Sequence, residues 1–154
     1  MFDSYFIYNP DAKLFVSSGI LNYTKVEPYN EGTIQNPYRL TLDVDKELAR
    51  YYRSLIPKCY LTNLPRYSPH ITVVRPEKET PINMKYWEKY QGEEIPFYYD
   101  HQIFSDETYY WLNAFSDKLE NIRSELGLPI SSMYTRPPTG YVKCFHMTVC
   151  NRKF

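Results

Sequence analysis

The chain is poor in the residues that usually announce a chemistry. It has three cysteines, Cys59, Cys144 and Cys150, with no CxxC pair and an odd count. That excludes a disulfide-built scaffold and a four-cysteine zinc site, and points to a reduced, cytoplasmic setting. Five glycines spread over 154 residues leave no glycine-rich phosphate loop. No apolar run approaches the ~20 residues of a membrane helix. Met1–Tyr5 offers no basic stretch ahead of an apolar one, so no signal peptide is expected. Charge of one sign is missing too: 18 basic and 18 acidic residues cancel. A protein that tracks long nucleic acid on a broad basic face is thereby disfavoured, whereas a small anion in a local pocket is not.

Aromatic residues are abundant. Seventeen tyrosines and eight phenylalanines stand in the chain. Most are expected to fill strands and half-buried surfaces. A few could stack flat ligands such as bases.

Histidine is scarce, with three in all. Two of them sit in one pattern, His70-Ile71-Thr72-Val73 and His146-Met147-Thr148-Val149. Each lies in a short β-prone run. Residues two apart in a strand share a face, so each segment presents one imidazole and one hydroxyl on one side and apolar residues on the other. The third, His101, has no such partner and reads as a surface histidine of a hairpin.

Along the chain, residues 4–8 and 13–17 read as strands around Asn9-Pro10-Asp11-Ala12. Residues 18–37, with Gly19, Gly32, Pro28 and Pro37, read as loop, and 1–37 as a strand-plus-loop extension of a single domain over 1–154. A strand is expected at 38–42. A helix follows from Asp45 to Pro57, with Leu48, Tyr51, Tyr52, Leu55 and Ile56 at helical spacing. Residues 59–64 read as a connector or edge strand, and 70–75 as the first motif strand. Thr80-Pro81 predicts a second helix to about Tyr90, ending near Gly92. A hairpin is expected at 97–104 and 108–114. Ser116 should cap a third helix carrying Leu119, Ile122 and Leu126, and 141–150 should form the second motif strand. Strands and helices in this order suggest an α+β fold with mainly antiparallel sheet.

Two facing imidazoles make an acid–base pair near neutral pH. Two hydroxyls between them can donate to the non-bridging oxygens of a phosphate. Phosphodiester cleavage fits such a set, and it needs no metal or cofactor. A metal reading of Cys144, His146 and Cys150 fails on reach, because the two cysteines lie ~20 Å apart in an extended strand. They read as small apolar fillers.

The paired motifs resemble the 2H phosphoesterase superfamily, defined by two His-x-Thr/Ser motifs each followed by apolar residues. The resemblance spans roughly residues 38–150. It implies a bilobal α+β fold, with two antiparallel sheets flanked by helices around a central groove. It also implies metal-independent cleavage of phosphodiesters, with His70, Thr72, His146 and Thr148 as catalytic residues. Within the family the chain looks most like the phage anti-CBASS nucleases, which destroy the cyclic oligonucleotide signals of a bacterial defence system. The residues carrying that likeness are Tyr38-Arg39-Leu40-Thr41-Leu42 leading into Ala49-Arg50-Tyr51-Tyr52. That subgroup implies a tyrosine and a tryptophan on the substrate, here Tyr38 and Trp111, and Tyr141 is a further aromatic candidate. It has an acidic residue downstream of the second motif, and residues 151–154 supply none. The substrate expected is a cyclic di- or oligonucleotide, met in the cytoplasm of the host cell if the chain is phage-encoded. A 2′-5′ oligonucleotide, an RNA 2′,3′-cyclic phosphate, or sequestration of a nucleotide without cleavage are the other readings. Arg75 and Lys143 lie beside the motifs, but strand parity turns both away from the histidines.

Overall fold

The computed structural model describes residues 14–26, 36–58, 60, 62–63, 68–132 and 145–152. Its strands are β1 (Leu14–Lys25), β2 (Tyr38–Val44), β3 (Thr62–Asn63), β4 (His70–Val74), β5 (Glu94–Ser105), β6 (Tyr109–Phe115) and β7 (Phe145–Arg152). Two nine-residue helices accompany them, α1 (Lys46–Ser54) and α2 (Asp117–Glu125). All strand pairings are antiparallel, in the order β3-β7-β4-β2-β1-β5-β6, and β6 pairs back onto β7. Six strands therefore close into a ring, with β3 on the far end of β7.

This corrects the expected bilobal α+β fold. Among the described residues there are not two sheets facing each other across a groove. One sheet closes on itself, because β7 takes β4 on one edge and β6 on the other. Closure removes the open edges that two separate sheets would expose. Among the described residues no helix is long and apolar enough to cross a membrane.

The core lies on one face of the sheet. Strand alternation sends Leu21 and Tyr23, Leu40 and Leu42, Ile71 and Val73, Phe97, Leu112, and Met147 and Val149 to that face, and all are buried. Both helices add to it. Asp45 caps α1 by accepting from the Glu47 N–H, and the helix buries Ala49 and Tyr52. The expected stripe is rotated, since Tyr51 and Leu55 stand exposed. Ser116 caps α2 through the Leu119 N–H, and Leu119, Ile122 and Leu126 enter the core. The helix ends in a Schellman motif. Gly127 has φ +82°, its N–H reaches the Ser124 carbonyl, and the Leu128 N–H reaches that of Arg123.

Two further expectations fail for identifiable reasons. Residues 18–25 are strand, not loop. Gly19 is there because a Cβ would lie 2.6 Å from the Asp43 carbonyl oxygen, so it marks a close approach of β1 and β2 rather than a turn. The expected helix at 80–90 is a 3₁₀ turn over Met84–Tyr86 followed by turns. Its backbone leaves the helical region at Trp87, where ψ is 135°, and the Ile82 and Asn83 N–H groups donate to the Leu126 carbonyl. The Asn83 side chain donates to the Glu125 carbonyl, and Glu88 takes a positive φ. The segment serves as a C-terminal cap for α2. The expected strands at 4–8 and at residue 13, the turn at 9–12 and the loop at 27–35 lie outside the described residues.

Tyr23, Tyr52, Tyr99 and Tyr110 belong to the core. Burial pushes the Tyr23 hydroxyl up to about 12.

Candidate active site

Ile71 stands opposite Met147 in the antiparallel β4–β7 ladder. The residues on either side therefore pair as His70 with Thr148 and Thr72 with His146. The two motifs are related by a local two-fold, and both project from the face opposite the core. His70 and His146 sit on the diagonal of this quartet, a separation of about 7–8 Å between Cα atoms. The closed ring adds a strand on each outer side. On β2, Asp43 is opposite His70 and Thr41 opposite Thr72. On β6, Trp111 is opposite Thr148 and Asn113 opposite His146.

Two rows thus cross four strands. One runs Asp43, His70, Thr148, Trp111. The other runs Thr41, Thr72, His146, Asn113. All four motif side chains are half-buried. Each strand supplies a polar or aromatic pair at i and i+2 around an apolar residue that enters the core.

Hydrogen bonds fix several of these groups. His70 Nδ1 lies 2.7 Å from the Ser68 carbonyl oxygen. A carbonyl only accepts, so Nδ1 carries a proton there and Nε2 is the nitrogen left for chemistry. Asp43 accepts from Thr41 Oγ1 at 2.9 Å and from Asn22 Nδ2 at 3.3 Å. The Val44 N–H donates to the Pro69 carbonyl, which makes Asp43 and His70 a non-hydrogen-bonded pair, the kind whose side chains approach most closely. The Trp111 indole N–H donates to Asn113 Oδ1 at 3.2 Å. Its ring lies 5.0 Å from the His146 imidazole at 33°, with Phe104 stacked beyond it.

Trp111, expected to contact substrate, is therefore at the quartet. Tyr38 is not. It shares the face of Leu40 and Leu42, its ring meets Trp87 edge-on at 5.1 Å, and Lys25 lies over it. Tyr141 and Lys143 lie outside the described residues. Arg75 is turned toward Glu79 and Ser132, as parity requires. His101 is an exposed β5 residue beside Phe15 and Asp100.

Asp43 and Asn113 were not singled out in the sequence. The signal was present: Thr41-x-Asp43 and Trp111-x-Asn113 repeat the His-x-Thr spacing inside alternating strands.

Cys150 is buried against the core side. A register shift between Tyr110 and Trp111 pairs Cys150 with Tyr110 and so turns it away from His146. Burial raises its thiol above the ordinary value. Cys59 and Cys144 lie outside the described residues. Among the described residues no three His, Cys, Asp or Glu side chains converge as a metal site.

Compared with known proteins, the chain matches no family model, no curated protein and no solved structure.

Proposed function

We propose that this chain is a metal-independent phosphodiesterase of the two-histidine type. The observation that carries this reading is the Ile71–Met147 pairing, which makes one quartet out of two motifs 76 residues apart in the chain. One imidazole takes the proton of the attacking oxygen as the new P–O bond forms. The other gives a proton to the leaving oxygen as the old P–O bond breaks. Thr72 and Thr148 donate to the non-bridging oxygens while charge builds on them. His70 acts through Nε2, because Nδ1 is tied to the Ser68 carbonyl.

The particular substrate class we propose is a cyclic di- or oligonucleotide with 3′-5′ linkages, the signal of bacterial CBASS immunity, cleaved in the cytoplasm. Trp111 supports a substrate that carries bases, since its indole flanks the quartet. A free 2′-hydroxyl beside the scissile bond serves as nucleophile, and the first product is a 2′,3′-cyclic phosphate.

The test is product formation with EDTA present, on 3′,3′-cyclic dinucleotides, cyclic trinucleotides, 2′-5′ oligoadenylate and 2′,3′-cyclic mononucleotides. We expect turnover of the cyclic oligonucleotides, and a loss of at least about a hundredfold in each of His70→Ala and His146→Ala. Binding with every substrate left intact would overturn the enzymatic reading. Turnover confined to the 2′-5′ or 2′,3′-cyclic substrates would move the assignment to those classes.

A further inference from the structure

A second feature of the molecule lies away from the quartet. The last turn of α1, the chain that follows it, and β3 border an open cavity of about 420 Å³. Its lining is Arg50, Arg53, Ser54, Ile56, Lys58, Tyr60 and Thr62. Three cations converge there and, among the described residues, no carboxylate lines the space, in a chain whose net charge is zero. The volume falls within the ordinary range for small-ligand sites.

The cations differ in how they are held. Arg53 is oriented by Thr62, with Nε 3.3 Å from the hydroxyl and a terminal nitrogen 3.4 Å from the carbonyl. Among the described residues no other hydrogen bond takes its remaining N–H groups, which lie in a fixed plane, the arrangement that favours bidentate recognition of phosphate. Arg50 pairs with Glu47 at 2.5 Å, but both side chains are 70% exposed, so the pair is weak and can exchange for a better anion. Lys58 is exposed on the turn closed by the Tyr60 N–H to the Pro57 carbonyl. Tyr60 is 55% exposed.

Helix polarity accounts for part of this. A cation in the last turn of α1 offsets the partial negative charge of the helix end. That explains Arg53, which sits in the last turn. It explains neither Lys58, which lies beyond the helix, nor the hydroxyl and ring that join it. The helix-end carbonyls themselves are occupied: those of Tyr52 and Arg53 accept from the Leu55 and Ile56 N–H groups, and that of Tyr51 accepts from Ser54 Oγ.

We propose that this cavity is a second anion site, which binds the phosphate of a mononucleotide, with Arg53 and Lys58 on the phosphate, Arg50 at the rim and Tyr60 against the base. It is separate from the quartet. Thr62 pairs with Arg152, four residues beyond Thr148, and strand parity past the β7 irregularity puts it on the core-bearing side of the sheet. A ligand here does not extend the phosphate cradle, so the site is one for occupancy rather than cleavage.

The experiment is calorimetric titration of the full chain with adenosine 5′-monophosphate and, separately, inorganic phosphate, at low ionic strength. The double variant Lys58→Glu with Arg50→Glu alters exposed side chains only, and its thermal melt checks the fold. We expect saturable binding of both ligands, weakened at least tenfold in that variant and by added salt. Tyr60→Ala should lower affinity for the nucleotide about tenfold and leave that for phosphate unchanged. The double variant His70→Ala with His146→Ala should bind as the parent does. Absence of binding to the parent overturns the proposal. So does binding that survives the charge reversal, or that is lost with the histidines, which would assign the anion to the quartet. Repeating the charge reversal and Tyr60→Ala in the His70→Ala, His146→Ala background separates this site from any anion held by the quartet.

Discussion

Replacing Arg123 by methionine should destabilise the fold by about 3–5 kcal/mol, the range for removing one partner of a buried ion pair. Arg123 has no exposed surface, and each of its three guanidinium nitrogens donates a hydrogen bond. One terminal nitrogen donates to Glu79 Oε2 at 2.7 Å, the other to the Val73 carbonyl at 2.6 Å, and Nε to the Pro129 carbonyl at 2.7 Å. Methionine fills a similar length but donates nothing. Two carbonyls lose a donor, and Glu79, 7% exposed, is left with Arg75, whose guanidinium is 3.8 Å away and whose N–H lies at 3.2 Å. For a chain of this size the loss corresponds to a melting temperature lower by about 6–20 °C. Urea unfolding measures it directly. Adding Glu79→Met removes the stranded carboxylate, so the double variant should recover at least about 1 kcal/mol relative to additivity. A loss under about 1 kcal/mol in the single variant, or strict additivity in the double, would refute the reasoning. The site is a consequential one, because Val73 is the extra residue where β4 slips against β2, next to Thr72.

Two further outcomes follow from local geometry. Gly19→Ala should cost about 1–3 kcal/mol, because its Cβ meets the Asp43 carbonyl at 2.6 Å and Leu42 Cγ at 2.8 Å; an unchanged or raised melting temperature would contradict this. Asp106→Ala should cost about 1 kcal/mol at pH 7, since the carboxylate accepts from the Thr108 and Tyr109 N–H groups at the β5–β6 turn. Those amides, Tyr109 foremost, hold the Asp106 carboxyl below its ordinary value. Its contribution is therefore full above the unfolded-chain value of about 3.9 and is lost as pH falls through the lower folded value. Melts of parent and variant should differ at pH 7 and converge near pH 2, and a gap that persists in acid would show another origin.

Much of the candidate site was legible because it rests on alternation, the most local property of a strand. His70, Thr72, His146 and Thr148 could be assigned to one face each from i and i+2 alone. Trp111 came from the family likeness and does flank the quartet. Tyr38 came from the same likeness and does not, because its parity is that of Leu40 and Leu42. What alternation does not carry is which strands are neighbours. The β6–β7 pairing joins residues separated by up to 42 positions, and it turns an expected pair of sheets into a ring. Helix prediction failed at 80–90 for a related reason. A threonine–proline start is a local cue, and the segment docks on the end of α2 with its backbone turned out of the helical region at Trp87 and Glu88. Gly19 was misread for want of the same information, since only the neighbouring strand shows why a side chain is excluded there.

Closure of the ring has a consequence in time. During synthesis β4 emerges long before β7, so the first histidine and threonine wait for the second pair. Docking β7 zips three ladders, to β3, β4 and β6, and each joins segments far apart in the chain. Such non-local pairing is slow, because loop closure must precede any gain from contact. Until that strand seats, the nascent chain exposes the unpaired edges of β4 and β6 and holds only half of the quartet. Seating of Trp111 beside His146 in refolding would then serve as a clock for the arrival of a single strand.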